Sequence, residues 1–149
     1  MGRNKKSLSG AVTPPGAGKK AVLQSDTSDR DARVSWRIGY LDHDHPDWGW
    51  SRLDPAALAE LREKLSHYED SRMTEFFSPI GRAKPVGVDA ISPAAQKRLL
   101  ELERDDQDEL WEIRLSARAR VWGLRRGPVF HLLWWDPEHT VCPSRKRHT

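Results

Sequence analysis

Hydrophobic and polar positions follow two rhythms along this chain, and each rhythm predicts a kind of element. Between Arg33 and Leu41, the residues Val34, Trp36, Ile38 and Tyr40 alternate with Arg33, Ser35, Arg37 and Gly39. A period of two predicts a strand with one face turned to a core. From Asp54 the period lengthens: Leu58, Leu61, Leu65 and Tyr68 recur at helical spacing behind an Asp-Pro start. Asp54 is thus a candidate N-cap, with Pro55 at the first helical position of a helix whose apolar face packs on the sheet. The pattern fades near Ser71, and Met73, Phe76 and Phe77 plug an irregular or briefly helical segment. Ser78 to Ala90, with two prolines and two glycines, reads as a loop. Ser92-Pro93 repeats the cap-plus-proline start, and its helix carries Ala95, Leu99 and Leu102 inward to about Glu103.

The last third returns to the strand rhythm. Trp111, Ile113 and Leu115 alternate with Glu112 and Arg114. A second strand is predicted from about Arg118 to Leu124, and Arg125-Arg126-Gly127-Pro128 supplies the turn chemistry. Val129 to Trp135 is apolar almost throughout, as a strand covered on both faces would be, and Asp136-Pro137 ends it. The short gaps require an antiparallel meander, because parallel neighbours need long crossovers. The expected fold is α+β: two helices packed on one face of a mainly antiparallel four-stranded sheet that ends in this three-strand meander. Trp111, Trp122, Trp134 and Trp135 lie in its strands, where burial is the default, and Trp134 and Trp135 face opposite ways. Trp48 and Trp50 are expected to anchor the preceding loop against the sheet.

Composition narrows this picture. With 149 residues the chain suits one domain, placed at residues 32–143. Residues 1–31, rich in Gly, Pro, Ser and Thr with the pairs Lys5-Lys6 and Lys19-Lys20, read as a disordered basic arm, and residues 144–149 as a basic tail. Gly16-Ala-Gly-Lys19 lacks the spacing and the preceding strand of a phosphate loop. The net charge of +3 suits a polyanionic partner. One cysteine excludes an internal disulfide framework, and no apolar run approaches a membrane span, so a cytoplasmic protein with no membrane partner is expected. Asp42-His-Asp-His-Pro-Asp47 carries metal-capable side chains without a further ligand pair at defined spacing. It reads as a solvated loop, and neither metal nor cofactor is expected.

The chemistry that stands out is cationic. Arg114, Arg118, Arg120, Arg125 and Arg126 fall on adjacent strands and turns, with His131 and His139 nearby, and the loop before them adds Arg82 and Lys84. Guanidinium groups on rigid strands suit phosphate, because their planar donors fork onto two oxygens. An exposed sheet face simply filled with arginine is the alternative reading. The acidic run Asp105-Asp106-Gln107-Asp108 either repels phosphate or pairs with Arg118 and Arg120.

The stretch from Glu109 to Trp135, Glu-Leu-Trp-Glu-Ile-Arg-Leu-Ser-Ala-Arg-Ala-Arg-Val-Trp-Gly-Leu-Arg-Arg-Gly-Pro-Val-Phe-His-Leu-Leu-Trp-Trp, resembles the RelE/ParE superfamily, including HigB-like toxins. In that family a strand ending in arginine, an Arg–hydrophobic–aromatic strand and a hydrophobic closing strand follow two helices. The order of elements matches from about Val34 to Cys142, and most fully over residues 99–141; Arg114 and Arg120 match the pattern's two arginines. The resemblance implies the toxin of a toxin–antitoxin pair, an mRNA endoribonuclease acting on the ribosome and silenced by an antitoxin protein. Under that reading the matched Arg114 and Arg120 are the candidates for catalysis, with His139 and then His131 as imidazole acid or base; Arg118, Arg125 and Arg126 are candidates for RNA binding, as are Arg82 and Lys84 unless their loop is an ordinary solvated connection. Relatives often end in a tyrosine, whereas Cys142 stands in the comparable neighbourhood here. Two other functions accompany the family: a non-catalytic binding module, and a gyrase-directed toxin that would act without His139.

Overall fold

The computed structural model describes residues 32–143. The arm and tail expected at residues 1–31 and 144–149 lie outside the described residues. The fold is α+β. In chain order the elements are β1 (Ser35–Arg37), α1 (Pro55–Tyr68), a one-turn α2 (Met73–Phe76), β2 (Ala83–Gly87), α3 (Pro93–Glu101), β3 (Glu109–Arg114), β4 (Arg120–Arg126) and β5 (Val129–Asp136). They form one five-stranded sheet in the order β1-β5-β4-β3-β2.

The C-terminal meander is present: β3 pairs antiparallel with β4, and β4 with β5. Both helix starts follow the predicted chemistry. The Asp54 carboxylate accepts the Ala57 amide at 2.7 Å, and the Ser92 hydroxyl accepts the Ala95 amide at 3.1 Å. The sheet has a fifth strand where a loop was expected. Ala83–Gly87 pairs antiparallel with β3 and places Pro85 opposite Trp111. Because β2 is an edge strand, the missing Pro85 amide costs no ladder bond on the open side. The first strand is shorter than its alternation suggested. After Arg37 a turn closed by Leu41 N–H to the Ile38 carbonyl takes the chain out of the sheet, leaving Ile38 67% exposed. β1 runs parallel to β5, so three of the four pairings are antiparallel.

The helices do not share a face. Leu61, Leu65 and Tyr68 of α1, with Phe76 and Phe77, pack against Trp111, Ile113, Val121, Phe130 and Leu132. Ala95 and Leu99 of α3 pack instead with Leu110, Trp122, Leu124, Leu133 and Trp134. Val121 and Trp122 are chain neighbours on β4 and must point oppositely, so α1 covers one face (face A) and α3 the other (face B). Burial on both faces explains the near-continuous apolar run of β5. Leu58 is half exposed instead of facing the core.

One irregularity sets which residues reach face B. The β4–β5 register slips between Trp122 and Gly123, with Trp122 opposite Trp134 but Gly123 opposite Leu132, so Leu133 is an extra residue. Leu133 and Trp134 therefore both turn to face B, and beyond them Trp135 turns to face A and Asp136 to face B. Gly123 permits the bulge, since a Cβ there would lie 2.2 Å from the His131 carbonyl oxygen.

The loop after β1 is solvated at His43, Asp44, Pro46 and Asp47, as expected, but Asp42 is buried and His45 partly so. Asp42 is 3% exposed and accepts Arg98 Nε and Nη2 at 2.8 and 2.7 Å and Trp134 Nε1 at 2.8 Å. His45 stacks on Trp48, whose indole N–H reaches Thr140, and Trp50 Nε1 donates to the Leu133 carbonyl. Burial alone would raise the Asp42 carboxyl, but the Arg98 and Trp134 hydrogen bonds and the Arg98 charge outweigh it and hold the group below its ordinary range. Arg98→Ala leaves this carboxylate buried without its cation. Because Arg98 is itself partly exposed, the expected loss is about 2–4 kcal/mol in urea unfolding. Since the native Asp42 pKa lies below its ordinary 3.8, the pair's contribution is present above that pH and fades as pH falls through the native value.

Candidate functional site

Face B is a grid wherever α3 does not cover it. Register places Lys84, Glu112, Trp122 and Trp134 in one cross-strand row, and Arg114, Arg120 and Asp136 in the next. Paired residues share a face, so the second row brings two guanidinium groups beside a carboxylate. Arg82 stands just before β2, and its carbonyl accepts the Arg114 amide. The result is a groove of about 410 Å³ lined by Ile80, Gly81, Arg82, Lys84, Glu112, Arg114 and Arg120.

The groove floor is held from beneath. Arg120 is 8% exposed, and its Nη1 donates to the Ser116 and Ala119 carbonyls, each at 3.1 Å. Those bonds fix the guanidinium with its Nε 3.8 Å from Glu112 Oε2. His139 Nε2 lies 3.9 Å from the same oxygen. Both separations exceed a hydrogen bond, and Glu112 Oε2 has no hydrogen-bond partner although it is buried. Burial raises the Glu112 carboxyl, and Arg120 and Arg114 do not fully offset it; Asp136 pushes the same way as burial. Burial lowers the His139 imidazole, with Arg120 and Arg114 adding to the effect and Asp136 opposing it. The pair therefore consists of a carboxylate that holds a proton more readily than usual and an imidazole that holds one less readily.

His139 reaches this place because Asp136 organises the turn after β5. The Asp136 carboxylate, fully buried, accepts Trp122 Nε1 at 3.1 Å, Thr140 N at 2.9 Å and Val141 N at 3.0 Å. Drawing Thr140 and Val141 back to the strand end closes the turn and leaves His139 left-handed at φ 60°. A non-glycine residue in that region costs of order 1–3 kcal/mol and persists only where its surroundings over-determine it. The loop opposite is equally fixed. Lys84 Nζ donates to the Pro79 carbonyl, Gly81 N–H to the Ser78 carbonyl, and a Cβ on Gly81 would meet Phe76 and Glu75 backbone. That loop presents Ile80, 96% exposed, at the groove mouth.

Of the residues singled out in the sequence, Arg82, Lys84, Arg114 and Arg120 line the groove, with His139 beside its floor. The others stand elsewhere. Arg118 lies before β4 instead of within it and pairs with Glu138 at 2.6 Å in the open. Arg125 lies over Phe77 and Trp111 on face A, and burial lowers its guanidinium. Arg126 and His131 sit at the far end of face B, where His131 stacks on Tyr40. Neither Arg118 nor Arg120 pairs with the run Asp105–Asp108. Sequence reasoning missed Glu112 and Asp136. Glu112 alternates with Arg114 and shares its face, which is the available signal, but in the sequence the cations alone mark that face.

An ionised Glu112 weighs against the fold: with its native pKa above the ordinary 4.5, its contribution is full below 4.5 and is lost as pH rises through the native value. Glu112→Gln therefore keeps or raises Tm at neutral pH, Arg120 retaining its carbonyl bonds, and the difference from wild type shrinks below pH 4.5 in thermal melts.

No family model, curated protein or solved structure matches this chain, so its function is read from the groove itself.

Proposed function

We propose that the groove binds single-stranded RNA and cleaves it, and that the chain is the toxin of a toxin–antitoxin pair that cuts messenger RNA at the ribosome in the cytoplasm. The observation that carries the cleavage reading is a Glu112 oxygen that makes no hydrogen bond and lies 3.8 Å from Arg120 Nε and 3.9 Å from His139 Nε2, on a residue lining a cationic groove. The chain's resemblance to RelE/HigB-like toxins over residues 99–141 supports the biological setting.

The reaction is attack of a ribose 2′-hydroxyl on the adjacent phosphorus. Glu112 accepts the hydroxyl proton, a new P–O2′ bond forms, and the P–O5′ bond breaks. Protonated His139 donates from Nε2 to the departing 5′-oxygen, leaving a 2′,3′-cyclic phosphate and a free 5′-hydroxyl. Charge builds on the non-bridging oxygens during attack, and Arg114 and Arg120 face it with Arg82 and Lys84 at the rim. The separations of 3.8 and 3.9 Å suit groups that close onto substrate, since catalytic hydrogen bonds are often long before it binds. Ile80 offers apolar surface to a base at the mouth. The antitoxin would present carboxylates to the same cations.

The test uses purified full-length chain and an end-labelled RNA. Cleavage should yield the cyclic phosphate and stop where the scissile nucleotide is 2′-deoxy. Glu112→Gln and His139→Ala should each lower kcat by roughly 10²–10⁴, and Arg120→Ala by at least about 10². For the free enzyme, kcat/KM should follow a bell whose acid limb lies above pH 4.5 and whose alkaline limb lies below 6.5, because Glu112 is raised and His139 lowered from those values. Equal cutting of the 2′-deoxy strand overturns the chemistry. Growth arrest that persists in His139→Ala, with messages intact, points to the gyrase-directed function instead; normal growth with soluble wild-type chain points to a binding module.

A further inference from the structure

Face B has a second cationic end. Along β4, Arg120 opens the groove and Arg126 stands six residues on, ~20 Å away at strand spacing. Between them lie Trp122 and Leu124, buried with α3. At the far end, register sets Arg37 of β1 directly beside His131 of β5, and Arg126 diagonal to it through the Leu124–His131 pair. Side chains paired in register share a face, so these three project together.

The surroundings hold this end in a defined form. The His131 ring stacks on Tyr40 at 4.5 Å and 20°, and the Arg104 guanidinium covers Tyr40 at 3.7 Å. Arg37 and Arg126 are exposed, and among the described residues no ion pair engages Arg37, Arg104 or Arg126. Asp105 and Asp106 follow Arg104 in the chain, yet neither bridges to it. Burial lowers the His131 imidazole, and the charges that act on it, Arg126 from β4, Arg37 from β1 and Arg104 after α3, all push the same way. Three guanidinium groups around one imidazole, with no carboxylate answering them, are relieved by an anion that both accepts from arginine and lets the imidazole protonate.

We propose that Arg37, Arg126 and His131 form a second phosphate-binding site, separate from the groove, that takes a backbone phosphate of the same RNA strand. Arg104 and Tyr40 hold the imidazole in place. This rests on the reading of the groove as an RNA site. The two sites are too far apart for a short oligonucleotide to bridge, so the second contributes affinity only to a longer strand. His131 is then a binding residue at a distance from the chemistry.

The experiment measures anisotropy of fluorescein-labelled, cleavage-resistant 2′-O-methyl RNA, a trinucleotide and a 12-mer, on full-length chain. Arg37→Ala/Arg126→Ala should weaken the 12-mer roughly tenfold, and Arg37→Glu should weaken it as well. The slope of log affinity against log salt should be shallower by about 0.7 for each arginine removed. Trinucleotide affinity should not change. Binding of the 12-mer should also raise the NMR titration midpoint of the His131 ring, and the double variant should lose that rise. Unchanged 12-mer affinity, an equal loss for the trinucleotide, or a static His131 midpoint overturns the second site. If wild type cleaves RNA while 12-mer affinity ignores both arginines, the nuclease reading stands and this one falls. If 12-mer affinity depends on both arginines while unmodified RNA stays intact, the second site stands and the nuclease reading falls.

Discussion

A single extra residue in β5 decides what the end of the sheet presents. Leu133, opposite no residue of β4, turns Trp134 and Asp136 onto face B instead of face A. Without that slip, Asp136 would face α1, and neither the Trp122 indole nor the amides of Thr140 and Val141 could meet it. The turn carrying His139 would then close differently, and no imidazole would stand near Glu112. The bulge in turn requires glycine at 123, where any side chain would run into the His131 carbonyl and the Phe130 ring. The placement of His139 beside Glu112 thus descends from a backbone constraint three residues into β4.

Face B also explains why the groups are electrostatically unusual. α3 and the tryptophans cover its middle, held by the buried Asp42 carboxylate that ties Arg98 to Trp134. Water is excluded from the sheet just where Glu112 begins, so its carboxylate is partly desolvated without a hydrogen bond to Oε2. Arg120 is close enough to attract it but is committed to two backbone carbonyls. A hydrogen-bonded ion pair would close that gap; with it open, the buried Oε2 stays without a hydrogen bond in a cationic setting.

Much of the fold was legible in local chemistry. The Asp54-Pro55 and Ser92-Pro93 starts place both main helices, and alternation from Leu110 places the meander, because capping and pleat depend on neighbours in sequence. What failed depended on partners far along the chain. β2 contains a proline and reads as loop until its edge position is known, and the faces chosen by α1 and α3 depend on packing that no local period encodes. The bulge is invisible in the apolar run of β5, since Leu133 and Trp134 are acceptable on either face. For the same reason the cations Arg114 and Arg120 are legible while Glu112 on their face is not, and Arg118, Arg125 and Arg126 belong to the same run of cations without lining the groove.

Glu112 is either a poised acid–base group or one half of a closed ion pair with Arg120. Carbon-detected NMR titration of its side-chain carboxyl answers this directly in the free protein. A midpoint above 4.5 is the predicted result, as burial outweighs the neighbouring cations. A midpoint at or below 4.5 would mean that Arg120 already satisfies the carboxylate, and would contradict the assignment of this groove to acid–base chemistry.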